Sequence, residues 1–286
     1  MLKWTNILLE LTKSRISLLV TFSAIAGFIL SKQGVTKEIV PLALGVFLLA
    51  CGACALNQYQ ERKLDGLMER TKNRPLPAGR LKPSSALWVS VILIVSGSLP
   101  LFFGAKGWAC GLGLFATLWY NGVYTCLKRK TAFAVLPGAL TGAVPPALGW
   151  VSGGGDLLDP RIGAIAFFFF LWQVPHFWLL LLDFPGDHEK AGLPTLASLF
   201  SAEQLKGMIS IWILSTGVAS LLLPLFLDVN FHFILLLLLA ATFWIVGTAI
   251  CVFRPRPGTA SLRGAFVKFS VYTFCVISLL ALDRLL

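Results

Sequence analysis

Long apolar runs dominate the hydrophobic pattern of this 286-residue chain. Nine runs recur, each of about 16 to 24 residues and long enough to approach or cross a hydrocarbon layer of roughly 30 Å as a helix. They cover residues 16–31, 38–58, 84–104, 107–125, 133–152, 161–182, 207–227, 230–253 and 265–282. The pattern predicts an all-α, polytopic integral membrane protein with nine transmembrane helices, built as a single domain over residues 1–286.

Charge is scarce and unevenly distributed. The chain is 57% hydrophobic and 13% charged, about half the charged fraction of an average soluble domain. If the N-terminus is cytoplasmic, nineteen of the 24 Lys and Arg residues fall on the cytoplasmic side of nine spans and five on the other. This bias is the positive-inside signal, so the formal net charge of +11 reflects orientation and not a nucleic-acid partner. We expect a cytoplasmic N-terminus and a location in the cell inner membrane.

Three oxygen-bearing side chains follow the second apolar run at a spacing of four. Asn57, Glu61 and Asp65 share one face if the helix continues beyond the membrane. Two carboxylates and an amide are ligands suited to a hard cation such as Mg²⁺, which completes its shell with water and phosphate oxygens. The spacing therefore predicts a magnesium site at the cytoplasmic end of this helix.

Basic residues accompany these acids. Arg70, Lys72 and Arg74 follow within reach and can neutralise phosphate charge. A simpler alternative is that Glu61 only pairs with Arg62 or Lys63 on a solvated helix end. The seven bases between residues 62 and 82 are compatible with both interpretations.

A second acidic pair occurs about 120 residues later. Asp183 and Asp187, in "LLDFPGDHEKAGLPT", again lie four residues apart at the end of an even-numbered span on the same side. Pro185 and Gly186 between them favour a turn at the helix end. The two motifs predict two acidic half-sites that face each other across the bundle.

Two such half-sites beside Arg and Lys residues fit a diphosphate bridged by Mg²⁺, with its tail in the bilayer. If the tail is allylic, neutralising the diphosphate makes it a leaving group, and aromatic faces can hold the resulting carbocation. The candidate rings lie at the ends of the fourth and sixth spans: Trp119, Tyr120, Tyr124, Phe177 and Trp178. Aromatic residues at helix ends also serve as interface anchors.

The two acidic motifs on nine spans resemble the UbiA-type intramembrane prenyltransferases, from about Lys13 to the last span. Within that superfamily the chain is similar to the protohaem IX farnesyltransferases (haem O synthases). The similar segments are "MERTKNRPLPAGRL" (68–81), "YTCLKRKT" (124–131), "GAVPPALGW" (142–150) and "PHFWLLLL" (175–182).

The resemblance implies a UbiA-like helical bundle and a role for each matched residue. Asn57, Glu61 and Asp65 would hold one Mg²⁺, with Asp183 and Asp187 holding a second. Arg15, Arg70, Lys128 and the adjacent Arg129 would bind diphosphate, with Tyr124 near the ionising carbon. His176 and Trp178, in "PHFW", are the candidates for contact with the acceptor. The implied reaction transfers a farnesyl group from farnesyl diphosphate to a vinyl group of haem B, within membrane lipid, to give haem O.

This chain departs from the protohaem IX farnesyltransferase pattern at Glu61, Lys63 and Ala134, and in the sequence of the second acidic motif. These departures bear on the acceptor more than on the chemistry. An aromatic acid such as 4-hydroxybenzoate, or another quinone precursor, is the alternative acceptor.

Two alternatives come from other functional classes. A secondary transporter would also have many spans, and "GAVPPALGW" is expected to interrupt the fifth span, as transporter helices are interrupted at their binding sites. A non-catalytic haem-handling membrane protein would need no paired acidic motifs. The position of the acids at helix ends on one side favours an enzyme fed from the membrane surface.

Overall fold

The computed structural model describes residues 2–182, 185–254 and 262–286, with the side chains of residues 2, 3, 182, 185 and 188 left aside. The described residues are helical throughout, without β-strands. The helices are α1 (Leu2–Thr12), α2 (Ser14–Lys32), α3 (Ile39–Asp65), α4 (Pro83–Pro100), α5 (Gly107–Leu118), α6 (Thr125–Leu127), α7 (Val135–Ser152), α8 (Pro160–Leu182), α9 (Pro185–Lys190), α10 (Ala202–Phe226), α11 (His232–Phe253) and α12 (Leu262–Asp283).

Eight of the described helical segments are long and apolar enough to cross a membrane. They coincide with eight of the nine predicted spans, which confirms the all-α, multi-pass membrane fold. The predicted span 107–125 is also helical, but a π-helical turn, Trp119–Tyr124, divides it into α5 and α6. The count of nine spans and the side of the N-terminus stay predictions.

The prediction that "GAVPPALGW" interrupts its span is wrong. Helix α7 runs from Val135 to Ser152 with Pro145 and Pro146 inside it. Prolines are tolerated in membrane helices when neighbouring helices hold the chain in place. Here the neighbouring helix is α2, which packs closely against α7. Because α7 is continuous, the interrupted span no longer favours a transporter.

Helices α2 and α7 cross at backbone contact. A Cβ added to Gly149 would lie 1.8 Å from the Ala24 carbonyl oxygen, and one added to Gly27 would lie 2.1 Å from the Pro146 carbonyl oxygen. Small residues allow helices in lipid to approach this closely, where dispersion replaces the hydrophobic effect as the driving force.

We call the end of the bundle where α2 begins and α3 ends the site end. There α1 packs on α3 and on the following loop through Leu11, Leu76 and Leu81. Two loops that are distant in sequence also meet at this end, because Met68 packs against Ala191 and Leu193. The site end therefore gathers α1, the start of α2 and these two loops around the last turns of α3.

Candidate active site

The last turns of α3 carry the predicted oxygen ligands in a row. Asn57, Glu61 and Asp65 are 2%, 4% and 1% exposed. Because their spacing is four residues on one unbroken helix, their side chains follow one another along a single face. We call these three side chains the α3 ladder.

Each member of the ladder meets a different base. The Lys13 ammonium lies 3.2 Å from Asn57 Oδ1, Lys128 forms an ion pair with Glu61, and Arg74 Nη1 lies 2.9 and 2.8 Å from the two oxygens of Asp65. Buried charges in a membrane protein are paired, because an unpaired one costs several kcal/mol. The site thus contains three bases that converge on two carboxylates and one amide.

The simpler alternative for Glu61 is wrong. Arg62 turns away and places its guanidinium 4.5 Å from the centre of the Tyr59 ring, while Lys63 is exposed. Glu61 is buried and takes its base from a distant segment of the chain. A buried carboxylate with a long-range partner is typical of a built site.

The π-helical turn before α6 positions Thr125 and Lys128. Thr125 Oγ1 donates a hydrogen bond to the Tyr120 carbonyl (2.9 Å) and accepts one from Asn57 Nδ2 (3.1 Å). This arrangement fixes the Asn57 amide so that its oxygen faces Lys13. π-Helical turns occur frequently at functional sites because the extra residue re-aims side chains.

The second acidic motif reaches the same end of the bundle. Asp187, on α9, is buried, and its two carboxylate oxygens each accept a hydrogen bond of 3.1 Å from the backbone, one from Glu69 N and one from Arg70 N. The motif therefore joins the loop that follows the ladder, as the sequence predicted for two facing half-sites. Asp183 lies outside the described residues.

The remaining predicted bases take different positions. Arg15 is exposed on α2, and Lys72 pairs with Glu69 at 2.5 Å. This pairing lowers the pKa of the Glu69 carboxyl from its usual value. Arg70 is exposed beside Asp187, and exposed Arg129 donates to the Gln60 carbonyl (2.9 Å). Arg74 and Lys128 are the predicted bases that contact the ladder directly.

Sequence reasoning missed Lys13. This residue joins α1 to α2, is half-buried and reaches the ladder, whereas Arg15 two residues later does not. Burial lowers the pKa of the Lys13 ammonium, and repulsion from Arg74 and Lys128 adds to the effect. No local pattern distinguishes the two bases, since the choice depends on a backbone break at Lys13.

A row of aromatic rings leads away from the ladder into the bundle. The Tyr120 and Tyr124 ring centres are 5.8 Å apart, and those of Tyr124 and Phe177 are 5.9 Å apart. The Lys128 ammonium lies 5.8 Å from the Tyr124 ring centre. Gly138 of α7 makes room for this ring, because a Cβ there would lie 2.5 Å from Tyr124 Cδ2.

The two predicted acceptor residues separate in the structure. His176 extends the row of rings: its ring centre is 6.1 Å from that of Phe177 and 4.6 Å from that of Phe266, and its Nδ1 is 3.3 Å from Ser270 Oγ. Trp178 is buried against Trp212 of α10. Residues two apart on a helix point about 200° apart, so the two rings cannot share one pocket.

The donor set of the ladder suits a hard divalent cation, because it offers one amide and two carboxylate oxygens on one face. Within the described part of the chain, no three His, Cys, Asp or Glu side chains form a ready metal cluster. The bases that pair with Glu61 and Asp65 belong to the types that bind phosphate. The arrangement can accept a cation on the acids and a polyanion on the bases.

Comparisons with known proteins identify the family of this chain. The UbiA prenyltransferase family matches residues 20–270. The chain is similar to a protohaem IX farnesyltransferase of Oleidesulfovibrio alaskensis, with 39% identity over 218 residues that cover 76% of this chain and 77% of the relative. A protein of the same name from Klebsiella pneumoniae is 32% identical over 275 residues, which cover 95% of this chain and 92% of the relative.

Two solved structures share the fold. A digeranylgeranylglyceryl phosphate synthase has a TM-score of 0.78 at 16% identity and covers 99% of both chains. A UbiA homologue from Archaeoglobus fulgidus, bound to GPP and Mg²⁺, has a TM-score of 0.69 at 14% identity over 97% of this chain and 99% of that one. The family match, the identity to curated relatives and the shared fold agree: this chain is a multi-pass membrane enzyme that belongs to the UbiA prenyltransferase family.

Proposed function

We propose that this protein transfers the farnesyl group of farnesyl diphosphate to a vinyl group of haem B and so produces haem O. The observation that carries the proposal is the α3 ladder with its three bases, in a chain that is 30 to 40% identical to protohaem IX farnesyltransferases. The active site is proposed to face the cytoplasm from the inner membrane.

Asn57, Glu61 and Asp65 are proposed to hold Mg²⁺, with Asp187 and Asp183 contributing from the second motif. The structure of the Archaeoglobus fulgidus homologue with GPP and Mg²⁺ supports this assignment by analogy of fold. Bound Mg²⁺ supplies neutralisation of the diphosphate charge. Lys128, Arg74 and Arg70 add to that neutralisation, which makes diphosphate a better leaving group.

The carbon–oxygen bond of the allylic diphosphate breaks, and its electron pair leaves with the diphosphate. The Tyr124 ring, held between Tyr120 and Phe177, presents a π face that favours the positive charge on the farnesyl carbon. The vinyl π electrons then form the new carbon–carbon bond. Water adds to the cation left on the adjacent vinyl carbon and loses a proton, which gives the hydroxyethylfarnesyl group.

His176 is the proposed contact for haem, because it lies on the row of rings that begins at Tyr124. Trp178 belongs to the core between α8 and α10 and would act on the acceptor only by holding α8 in place. A His176→Phe change keeps the aromatic packing against Trp172 and Phe266. We expect it to impair transfer to haem while diphosphate release continues.

The test is an incubation of purified protein in detergent with Mg²⁺, farnesyl diphosphate and either haem B or 4-hydroxybenzoate, followed by mass spectrometry. The proposal requires a haem product that carries a hydroxyethylfarnesyl group. Prenylated hydroxybenzoate without a haem product would assign the aromatic acceptor instead. Asp65→Asn should remove turnover in the same assay, while Glu69→Gln, at an exposed acid four residues later, should leave most of it.

A further inference from the structure

The base least firmly held at the ladder is Lys13. Lys128 and Arg74 each pair with a carboxylate, whereas Lys13 contacts the neutral Asn57 oxygen. Among the described residues no carboxylate oxygen lies within 4.0 Å of its ammonium. A neutral amide oxygen gives the ammonium no ion-pair attraction, unlike the carboxylates that face Lys128 and Arg74, so Lys13 is released from its partner most easily.

The backbone at Lys13 has an unusual conformation that aims this side chain. Its φ and ψ are 46° and 49°, in the left-handed region that few residues other than glycine adopt. The break lets α1 pack along α3, where Gln58 Nε2 donates hydrogen bonds to the carbonyls of Glu10 (2.7 Å) and Leu11 (3.0 Å). A strained residue held in place by its surroundings and aimed into a site points to a function for that residue.

The Asn57 oxygen also cannot serve two partners at once. Thr125 holds the amide so that its oxygen faces Lys13, and that oxygen is also the proposed first ligand for Mg²⁺. An ammonium and a divalent cation repel each other, so only one of them occupies this position. Lys13 then needs a new partner, and Arg74 and Lys128 stand close enough to repel it electrostatically.

We propose that Lys13 is a diphosphate-binding residue, which moves from the Asn57 oxygen to the diphosphate of the prenyl substrate. It is the third base that contacts the ladder, after Lys128 and Arg74, and it would contact the substrate from the α1–α2 junction, two residues before Arg15. The inference rests on the proposed function, because it needs a diphosphate substrate. With this role for Lys13, the α1–α2 junction helps to bind the diphosphate leaving group.

The experiment measures binding of inorganic diphosphate to the full-length protein in nanodiscs with Mg²⁺, by isothermal titration calorimetry. The variant is Lys13→Asn, since asparagine tolerates the left-handed backbone and carries no charge. Arg15→Asn is the matched control, two residues away and exposed. We expect Lys13→Asn to weaken binding at least about tenfold and Arg15→Asn to change it less than about twofold.

Lys13→Arg, which keeps the charge, should bind diphosphate more tightly than Lys13→Asn. Equal affinity of the wild type and Lys13→Asn would overturn the role of Lys13 and leave the proposed function intact. A wild type that binds no diphosphate in the presence of Mg²⁺ would overturn both. Thermal unfolding of each variant distinguishes a loss of binding from a loss of fold. If Lys13→Asn does not fold, Lys13→Gly replaces it, because glycine also adopts the left-handed backbone conformation.

Discussion

At the scale of single residues, the site is a set of charges that are too costly to bury without partners. Glu61 and Asp65 are almost fully buried, and each has one base from another part of the chain. Removing one partner of a buried pair typically costs about 3–5 kcal/mol. Because such a cost is retained where function needs the charges, we propose two roles for these bases: they pair with the buried acids and bind the diphosphate of the substrate.

Lys128 and Lys130 are a matched pair of residues. Comparing them tests whether substrate binding depends on one specific contact or on positive charge in general. Lys128→Ala removes the partner of Glu61, and we expect the KM for the prenyl diphosphate to rise at least about tenfold, because a charged contact contributes about 1.5–3 kcal/mol. Lys130→Ala, at an exposed position, should change KM by less than about twofold. Steady-state kinetics measures KM for both variants. Equal KM values would contradict the proposed contact between Lys128 and the diphosphate.

The aromatic face at Tyr124 can be tested through Gly138. Gly138→Ala adds a methyl group 2.5 Å from Tyr124 Cδ2, so the ring must shift from the reacting carbon. We expect kcat to fall on the order of ten- to a hundredfold with little change in diphosphate affinity. Gly122→Ala, with no atom within 4 Å of the new methyl group, is the control and should keep near-normal kcat. An unchanged kcat in Gly138→Ala would show that the ring position is not critical.

At the scale of elements, the length of α3 supports the proposed position of the active site near the membrane surface. A helix of 27 residues is about 40 Å long, which exceeds the roughly 30 Å hydrocarbon layer. We expect the excess to carry Glu61 and Asp65 beyond the lipid tails, so that a diphosphate can arrive from water while its prenyl chain stays in the bilayer. The predicted span 38–58 ended before Glu61, because the apolar pattern stops there although the helix does not.

The α2–α7 crossing joins the two helices in the half of α2 that lies away from the site end. Gly149→Ala places a methyl group 1.8 Å from the Ala24 carbonyl oxygen, and we expect overpacking to cost about 1–3 kcal/mol. Gly163→Ala on α8, in open space, should be neutral or slightly stabilising, since alanine favours helix. Thermal unfolding in detergent measures both, and a midpoint for Gly149→Ala at or above that of the wild type would refute the close crossing.

At the scale of the whole molecule, the distribution of charge predicts the orientation. With nineteen of the 24 Lys and Arg residues on one side of nine spans, the C-terminus should lie across the membrane from the N-terminus. Alkaline phosphatase fused after Leu286 should therefore be active, and a green fluorescent protein at the same point should be dark. The opposite result would contradict the predicted orientation of nine spans with a cytoplasmic N-terminus.

The sequence by itself determined the features that depend on local periodicity. The apolar runs predicted the spans, and the spacing of four placed Asn57, Glu61 and Asp65 on one face, because helix geometry converts spacing directly into direction. The charge bias and the quoted motifs likewise identified the family resemblance, which the family match confirms. These properties need no knowledge of how the helices pack.

Only the tertiary structure decided which side chains meet across the bundle. Lys13 reaches Asn57 while Arg15 does not, and His176 extends the row of rings while Trp178 lies in the core. The nineteen bases predicted for one side of the membrane are equivalent in sequence, and which of them reach the ladder depends on the backbone break at Lys13 and the π-helical turn before α6. The continuity of α7 through Pro145 and Pro146 has the same origin, because packing against α2 overrides the local preference of proline.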